Sequence, residues 1–361
     1  MRVAVVTHVD SPYQAELFDS IAGSERVDLE VIYLHGVHRV CRWTKRPLNH
    51  NAISLDEEVD HFAEARERVL ASDLAVISYY AERPANLLLN ARAASGKPWC
   101  FWGERPGTRR PEYAGRLLRR WKLSRLHGSR APIWGIGKLA VRAYKSEFGP
   151  HRSYSNVPYF SNLDRFGPEK RAHTSESSER VFLFGGSLIR RKGVDLLARA
   201  FVQIASEIPS IRLRIIGEGE LRSALGRTLE PVGDRVEFLG FKDWSELPAC
   251  YTAADVFCVP SRYDGWGMVV PEGLASGLPV IATDRMGAAL ELIDPGRNGW
   301  LIPAGNEAAL VNVLREAALL PPPKLEEMST NARESVSGHS LQHGAERFIN
   351  AAHKSLANWR G

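Results

Sequence analysis

Residues 260–281 read PSRYDGWGMVVPEGLASGLPVI, and this stretch contains the parts of a strand, loop, helix and strand unit. The apolar residues at its two ends have the length and β-branched content of buried strands. Between them, Pro271 suits the first position of a short helix. Proline lacks a backbone N–H, and at that position an N–H would have no intrahelical partner. The stretch therefore predicts parallel strands joined through a helix.

Outward from this stretch, runs rich in Val, Ile and aromatic residues alternate with helical patterns. The runs are residues 2–7, 29–34, 74–79 and 98–102, and then 181–184, 211–216, 236–239, 256–260 and 278–283. Strands that alternate with helices predict parallel sheets. The turn-forming segment 155–179 separates the two sets. We predict one α/β domain over 1–160, a second over 175–340, and an amphipathic helix over 341–361 that packs back on the first domain.

The composition is that of a globular chain. Its 361 residues are 44% hydrophobic and 25% charged, which suits two α/β domains of ordinary size. The N-terminus lacks a signal-peptide pattern and no run approaches the ~18 apolar residues of a membrane span, which predicts a cytoplasmic or peripheral protein.

Four scattered cysteines, Cys41, Cys100, Cys250 and Cys258, indicate reduced thiols rather than a zinc site.

Two carboxylates in the opening stretch form a candidate site. Seven residues separate Asp264 from Glu272, and Gly265 and Gly267 permit a sharp reversal that lets both acids line one pocket. Carboxylate oxygens accept hydrogen bonds from sugar and ribose hydroxyls. Trp266 would pack on a sugar face or anchor the loop. The alternative is that Asp264 is an ordinary turn residue and that Glu272 is an acid favoured in the first turn of a helix by the helix dipole.

A second motif, GGSLIRRKGVD, covers residues 185–195 and precedes a helical pattern. Its glycines let the backbone approach an anion, while Arg191 and Lys192 supply charge-assisted hydrogen bonds. The motif is neither a Walker loop nor a dinucleotide fingerprint. It predicts a diphosphate cradle, with a plain tight turn and solvated cations as the alternative.

With these motifs, the sequence resembles the retaining glycosyltransferases of family four, which adopt the GT-B fold of two Rossmann-like domains facing each other across a cleft. The family's hallmark is two glutamates separated by seven residues, then a small-residue helix and a Gly-x-Pro-Val strand. Asp264, Glu272 and residues 277–280 take those places. Further matching segments are 186–195 (phosphate loop), 215–221 (glycine turn), 236–240 (nucleotide base), 298–302 and the linker 157–160.

The resemblance implies roles for individual residues. Arg191 and Lys192 would hold the diphosphate of a UDP- or GDP-linked donor, and Glu272 the ribose. Asp264 and the backbone of 265–268 would hold the transferred sugar. The full donor-binding set is Gly186, Ser187, Gly217, Phe241, Gly265, Trp266, Gly267, Met268 and Glu272. The sequence differs from the family pattern at two positions. Asp264 replaces the family's first Glu, and Ser187 replaces the Arg that often follows the glycine of the phosphate loop. These differences leave the identity of the donor sugar undetermined.

The mechanism implied by the resemblance is front-face displacement with retained stereochemistry. The leaving diphosphate assists deprotonation of the incoming hydroxyl, and Arg191, Lys192 and the helix start near Pro271 stabilise its charge in place of a metal. The expected protein is a metal-independent hexosyltransferase with no cofactor besides its co-substrate. The expected catalytic residues are Arg191, Lys192, Asp264 and Glu104.

The first half carries weaker signals, as suits a domain that binds a variable acceptor. Tyr13 and Gln14 follow the first strand and are the predicted acceptor-binding residues. Glu104 follows the fourth predicted strand, where family members place a polar residue near the reacting sugar. A salt bridge from Glu104 to Arg105 is the alternative.

Residues 111–126 combine cations with apolar residues near helical spacing. Between Arg105 and Arg130 lie Arg109, Arg110, Arg116, Arg119, Arg120, Lys122 and Arg125, and the apolar positions are Tyr113, Leu117, Leu118, Trp121 and Leu126. A basic amphipathic helix with Trp predicts contact with an anionic membrane surface, which would bring a glycan or lipid-linked acceptor to the enzyme at the inner face of the cell membrane. The alternative is a solvated helix whose apolar stripe belongs to the core.

Other functions compatible with the motifs are a transferase or epimerase acting on a soluble compound, and a nucleotide-sugar-binding protein without turnover. The presence of Arg191, Lys192, Glu272 and an acid at position 264 argues against a binding protein without turnover. Nucleic-acid binding would rest on the arginines alone, without a reader motif, and we predict none.

Overall fold

The computed structural model describes residues 1–36, 46–56, 61–80, 82–106, 112–167 and 179–359, and only the backbone of 112–114 and 116. The chain divides into two compact units. The first contains Met1–Asn162 and Ser340–Gly361, and the second contains Leu163–His339. The chain therefore leaves the first unit, builds the second, and returns to the first.

The first unit is built on a seven-stranded parallel sheet with the order β3-β2-β1-β4-β5-β6-β7. The strands are β1 (Arg2–Val9), β2 (Asp28–His35), β3 (Asn51–Ser54), β4 (Leu74–Ile77), β5 (Trp99–Gly103), β6 (Ile133–Gly135) and β7 (Tyr154–Asn156). Val5 on the central strand β1 lies opposite Val31 and Val76 and is fully buried. Continuous apolar strands of this kind fit a sheet covered on both faces.

Helices flank this sheet. In the described part of the first unit they are α1 (Pro12–Ala22), α2 (His61–Ala71), α3 (Arg83–Ala94), α4 (Glu112–Lys122), α5 (Ser124–His127), α6 (Lys138–Phe148) and α14 (Leu341–Ala357). On α14, Phe348 is fully buried and packs edge-on against Trp102 and Trp134. Trp134 Nε1 also donates a hydrogen bond to Ser355 Oγ at 3.0 Å. The helix therefore completes the core of the first unit.

The second unit is built on a six-stranded parallel sheet with the order β10-β9-β8-β11-β12-β13. Its strands are β8 (Arg180–Gly185), β9 (Ile211–Ile216), β10 (Val236–Gly240), β11 (Val256–Val259), β12 (Val280–Thr283) and β13 (Gly299–Ile302). Its helices are α7 (Val194–Glu207), α8 (Arg222–Leu229), α9 (Leu247–Thr252), α10 (Val269–Ala275), α11 (Gly287–Leu292), α12 (Glu307–Leu319) and α13 (Pro322–Ser335). The apolar face of α7 contains Val194, Leu197, Phe201 and Ile204, all fully buried.

The order of strands reverses beside the first strand of each unit. β1 lies between β2 and β4, and β8 lies between β9 and β11. In open α/β sheets, ligands bind at the carboxyl ends of the strands where the order reverses, the topological switch point. The predicted α/β architecture with two Rossmann-like sheets is confirmed, and each sheet has such a point.

Among the described helices, none combines the length and the apolar character needed to cross a bilayer. The described cysteines Cys100, Cys250 and Cys258 are free thiols, and Cys41 lies outside the described residues.

Candidate functional site

The loop after β8 turns sharply at the switch point of the second sheet. A 3₁₀ turn over Arg190–Lys192 ends at Gly193, whose φ of 72° lies in the left-handed region. A Cβ atom at Gly193 would collide with the carbonyl oxygen of Pro260, at the end of β11. Because only glycine permits both the conformation and this close approach, the loop can lie against the chain that follows β11.

Arg262 joins these two loops. Its Nη1 donates to the carbonyl oxygen of Arg190 at 2.6 Å, and its guanidinium makes a bidentate contact with Asp195, at 2.6 Å and 2.7 Å. Its backbone N–H donates to the carbonyl oxygen of Arg191 at 2.9 Å. Burial opposes the charge of Asp195, but the Arg262 guanidinium outweighs it and lowers the pKa of that carboxyl. Such bidentate pairs fix geometry as well as adding energy.

The joined loops bring Lys192 to Asp264. Lys192 Nζ donates to Asp264 Oδ2 at 2.5 Å. Arg191 Nη1 lies 3.8 Å from the same oxygen and donates to the carbonyl oxygen of Tyr263 at 3.1 Å. The two predicted diphosphate-binding cations and the predicted sugar-binding carboxylate therefore form one cluster in the second unit.

Glu272 lies on the adjacent helix α10 with only 2% of its surface exposed. Its Oε2 accepts a hydrogen bond from Tyr251 Oη at 3.0 Å. Burial, followed by the nearby Glu272, raises the pKa of Tyr251 well above its ordinary value, so the phenol acts as a donor. The helix begins at Val269, after the cap Met268, so Pro271 is its third residue rather than its first as predicted.

The indole of Trp266 faces the interior. It is 1% exposed and stacks on His339, with ring centroids 6.0 Å apart. No face of the ring is open to a ligand, so the structure does not favour packing on a sugar face. Of the two roles considered for this residue, anchoring the loop is the one that fits.

The other predicted donor-binding residues follow neighbouring strands. Gly186 and Ser187 follow β8, Gly217 follows β9 and Phe241 follows β10. Gly217 has a φ of 122°, and a Cβ atom there would collide with the carbonyl oxygen of Gly186. Phe241 is 36% exposed. These residues therefore share the carboxyl edge of the sheet with the cluster around Lys192, as do Gly265, Gly267 and Met268 in the loop between β11 and α10.

The acceptor-side candidates belong to the first unit. Gln14 is buried, accepts from Ser11 Oγ at 3.2 Å and donates to Thr7 Oγ1 at 3.5 Å, so its amide supports the loop after β1. The acceptor contact expected of Gln14 stays a prediction. Tyr13 is half-buried, with its ring 5.3 Å from that of Tyr159. The side chain of Glu104 is exposed just after β5, and its carbonyl oxygen accepts from Tyr144 Oη at 2.6 Å.

The basic helix α4 has exposed apolar residues. Trp121 is 74% exposed and Leu117 is 53% exposed, whereas Leu123 and Leu126 just beyond belong to the core. Arg119 pairs with Glu147 at 2.9 Å. Arg109 and Arg110 lie outside the described residues, as do the side chains of Tyr113 and Arg116. The apolar residues of this segment are thus divided between core and surface.

Sequence reasoning missed three residues of the second-unit site, namely Tyr251, Arg262 and Asp195. Arg262 and Asp195 are separated by 67 positions, and Tyr251 and Glu272 by 21. No spacing rule links side chains that only the parallel sheet brings together. The sequence feature that could have indicated Arg262 is its position two residues before Asp264.

Two doubly wound sheets in one chain, the second with cations and carboxylates at its switch point, place the protein in the GT-B class of fold. Residues 166–335, nearly all of the second unit, match the family model for glycosyl transferases group 1. The second unit therefore belongs to that family, and the resemblance inferred from the motifs is confirmed.

Individual relatives agree with this assignment. A GDP-mannose-dependent monoacylated α-(1-6)-phosphatidylinositol monomannoside mannosyltransferase of Corynebacterium glutamicum is 31% identical over 175 residues, covering 44% of this chain and 46% of that protein. A D-inositol 3-phosphate glycosyltransferase of Saccharomonospora viridis is 28% identical over 216 residues, covering 55% and 50%. The chain thus spans about half the length of the curated relatives it matches.

Fold similarity extends over the whole chain. The crystal structure of Anabaena HepE in complex with UDP and glucose superposes with a TM-score of 0.76 at 17% identity, covering 98% of this chain and 100% of that one. At this identity the likeness concerns the fold alone.

Proposed function

We propose that this chain transfers a hexose from a UDP- or GDP-linked donor to a hydroxyl group of a glycan or lipid-linked acceptor, with retention of anomeric configuration. The observation that carries the proposal is the contact of Lys192 with Asp264, next to Arg191 and at the switch point where an α/β sheet binds ligands. The named relatives, which act with GDP-mannose or on inositol phosphate, support the same class of reaction.

The cluster has the chemistry that this transfer needs. The bond between the anomeric carbon and the diphosphate breaks, a bond to the acceptor oxygen forms on the same face, and the hydroxyl proton passes to the departing diphosphate oxygen. Lys192 has three N–H donors, of which Asp264 takes one, so the ammonium can bridge the sugar-binding carboxylate and a phosphate oxygen. Arg191, 40% exposed at its side chain, adds a second cation. Both stabilise charge that develops as the diphosphate leaves, which is why we propose no metal for this step.

Thermal stabilisation of the purified protein by UDP-, GDP- and ADP-sugars, with and without a chelator, tests the donor site. We expect one nucleotide to raise the melting temperature by a few degrees irrespective of the chelator, since a ligand at 100 times its Kd stabilises by about 2.7 kcal/mol. The shift should disappear in Lys192→Ala. Glu104→Gln is the matched control from the first unit, and it should keep the donor-induced shift while lowering turnover.

Product analysis under the same conditions separates the alternatives. Release of nucleotide and free sugar without an acceptor would indicate hydrolytic epimerisation, and a shift without any turnover would indicate a binding protein. No shift with any nucleotide sugar would contradict the proposed donor site.

We further propose that α4 places the acceptor-binding unit on an anionic membrane surface at the inner face of the cell membrane. Trp121 and Leu117 are exposed beside the exposed cations Arg120 and Lys122. An exposed indole next to cations is the combination that binds the interface of anionic lipid bilayers.

Sedimentation with phosphatidylglycerol vesicles and with neutral phosphatidylcholine vesicles checks this surface. We expect binding to the anionic vesicles only, weakened several-fold by Trp121→Ser and by high salt. The matched control is Leu319→Ser, which removes an apolar side chain, 64% exposed, from the second unit. Equal binding of Trp121→Ser and the parent protein would refute membrane contact through α4.

A further inference from the structure

Three side chains in the first unit meet outside the site described above. His8 Nε2 lies 3.2 Å from Glu82 Oε1, and His35 Nε2 lies 2.7 Å from Glu82 Oε2. One ligand atom from each of the three residues falls within 4.8 Å of the other two. Glu82 thus meets one imidazole with each carboxylate oxygen, and the potential ligand atoms of all three residues lie in one small region.

The separations suit a metal ion. Zinc bonds of about 2.0–2.2 Å in tetrahedral geometry place neighbouring ligand atoms about 3.4 Å apart. The 3.2 Å contact of His8 is close to this value, whereas the 2.7 Å contact of His35 is a hydrogen-bond distance that would have to widen by about 0.7 Å to admit an ion. Two imidazole ligands favour zinc and similar first-row cations, whereas magnesium and calcium prefer oxygen ligands throughout.

The surroundings orient the two imidazoles. On the far side of His35, Nδ1 lies 3.6 Å from Asp56 Oδ2. Asp56 is itself held by the N–H of Gly36, at 3.2 Å and 3.3 Å, and by Ser54 Oγ at 2.7 Å. A carboxylate behind a histidine is the usual outer partner of a metal-binding imidazole, because it fixes the ring and strengthens its basicity.

His8 is held differently. Its ring stacks on Tyr79 with centroids 4.4 Å apart and meets His35 edge-on at 5.5 Å. Both histidines thus have their orientations set by neighbours in the same unit.

The position in the sheet also indicates a ligand site. His8 is the second-last residue of β1, His35 ends β2, and Glu82 precedes α3 after β4. Because β1 lies between β2 and β4, the cluster is at the switch point of the first sheet. About a third of each side chain is exposed, at 34%, 33% and 33%, so an ion held by these three residues would keep a coordination position open to solvent.

We propose that His8, His35 and Glu82 form a binding site for a first-row divalent cation of the zinc type in the first unit, with Asp56 as a positioning residue. The residues of this site belong to the first unit, whereas Arg191 and Lys192, which are proposed to hold the donor diphosphate without a metal, belong to the second. The inference is therefore independent of the proposed transfer reaction.

Metal titration of the full chain tests the site. After treatment with a chelator and dialysis, Zn²⁺ is titrated by calorimetry, and Co²⁺ by the visible absorption that reports its coordination. We expect about one equivalent to bind, and each of His8→Gln, His35→Gln and Glu82→Gln to weaken binding at least tenfold. Even the loss of an outer partner, as in Asp56→Asn, lowers metal affinity about 10-fold to 100-fold.

His353→Gln is the matched control, since His353 is an exposed histidine on α14 of the same unit. It should leave the affinity unchanged. Glu82→Gln keeps the size of the side chain and one acceptor oxygen. If its melting temperature equals that of the parent chain, the variant is folded, and weaker metal binding then reports the loss of the carboxylate. The proposal would be overturned if the Zn²⁺ affinity stayed unchanged in each of the three single variants. It would also be overturned if the parent chain bound Zn²⁺ no more tightly than a variant that combines His8→Gln, His35→Gln and Glu82→Gln.

Discussion

Lys192→Met is expected to lower kcat for sugar transfer by about 10²-fold to 10³-fold, the usual cost of removing one donor that stabilises developing negative charge. Methionine keeps an unbranched, flexible side chain that is one heavy atom shorter, and it lacks the charge and the N–H donors. In the second unit, Lys192 Nζ contacts Asp264 Oδ2 at 2.5 Å. The substitution therefore removes a cation from both the carboxylate proposed to bind the sugar and the proposed diphosphate position. Initial rates at saturating donor measure this loss.

The same substitution has a calculable side effect. Asp264 is only 8% exposed, and without Lys192 its nearest described cation is Arg191, at 3.8 Å. Breaking a charge-assisted contact costs about 1–3 kcal/mol of folding stability, so the melting temperature should fall modestly while the protein stays folded.

The matched control for Lys192→Met is Lys324→Met, which removes a cation from the surface pair with Glu327 on α13 of the same unit. Its rate should equal that of the parent chain. If Lys192→Met turned over donor within about threefold of the parent, the assignment of Lys192 to the diphosphate would be wrong.

Glu272→Gln is expected to reduce kcat/KM for the donor by roughly tenfold to hundredfold, because hydrogen bonds to a charged partner contribute about 1.5–3 kcal/mol. The amide has the same shape and can still accept from Tyr251, but it cannot accept at two oxygens from the vicinal hydroxyl groups of a ribose. The loss should appear mainly in the donor KM, since ribose binding is the same in the ground and transition states.

Two further variants separate ribose binding from structural support. Tyr251→Phe removes only the hydrogen bond to Glu272, so an effect as large as that of Glu272→Gln would show that Glu272 acts through the fold. Glu316→Gln is the control, because Glu316 Oε1 likewise accepts from a buried aromatic partner, Trp300 Nε1, at 2.8 Å. Unchanged donor KM in Glu272→Gln would exclude its role in ribose binding.

The longer strands and the two motifs were predictable from sequence. β1, β2 and β8 are mainly apolar runs covered on both faces, and such runs stand out in any sequence. β9 instead alternates apolar residues with Arg212 and Arg214 before two buried isoleucines. β3, β6, β7 and β13 were missed as strands, because each has only three or four residues and β7 overlaps the segment interpreted as a linker. Pro271 marked the short helix but not its start, since tertiary packing extends α10 back to Val269.

The candidate site was only partly predictable. Motif spacing indicated Lys192, Asp264 and Glu272, but not that Lys192 and Asp264 are in direct contact across 72 positions. It did not reveal Arg262 or the meeting of His8, His35 and Glu82, since these contacts depend on which strands are neighbours. Trp266 was ambiguous because an aromatic residue after a glycine loop has the same sequence signature whether its ring faces a ligand or the core.

The return of the chain to the first unit has a consequence for biosynthesis. The core around Trp102 and Trp134 is closed by Phe348 on α14, whereas the second unit has all of its strands and helices before Ser340. On a ribosome, the second unit can therefore finish folding first, although its residues are made later than most of the first unit. The first unit must wait, with two tryptophans partly uncovered, until residues 341–357 emerge.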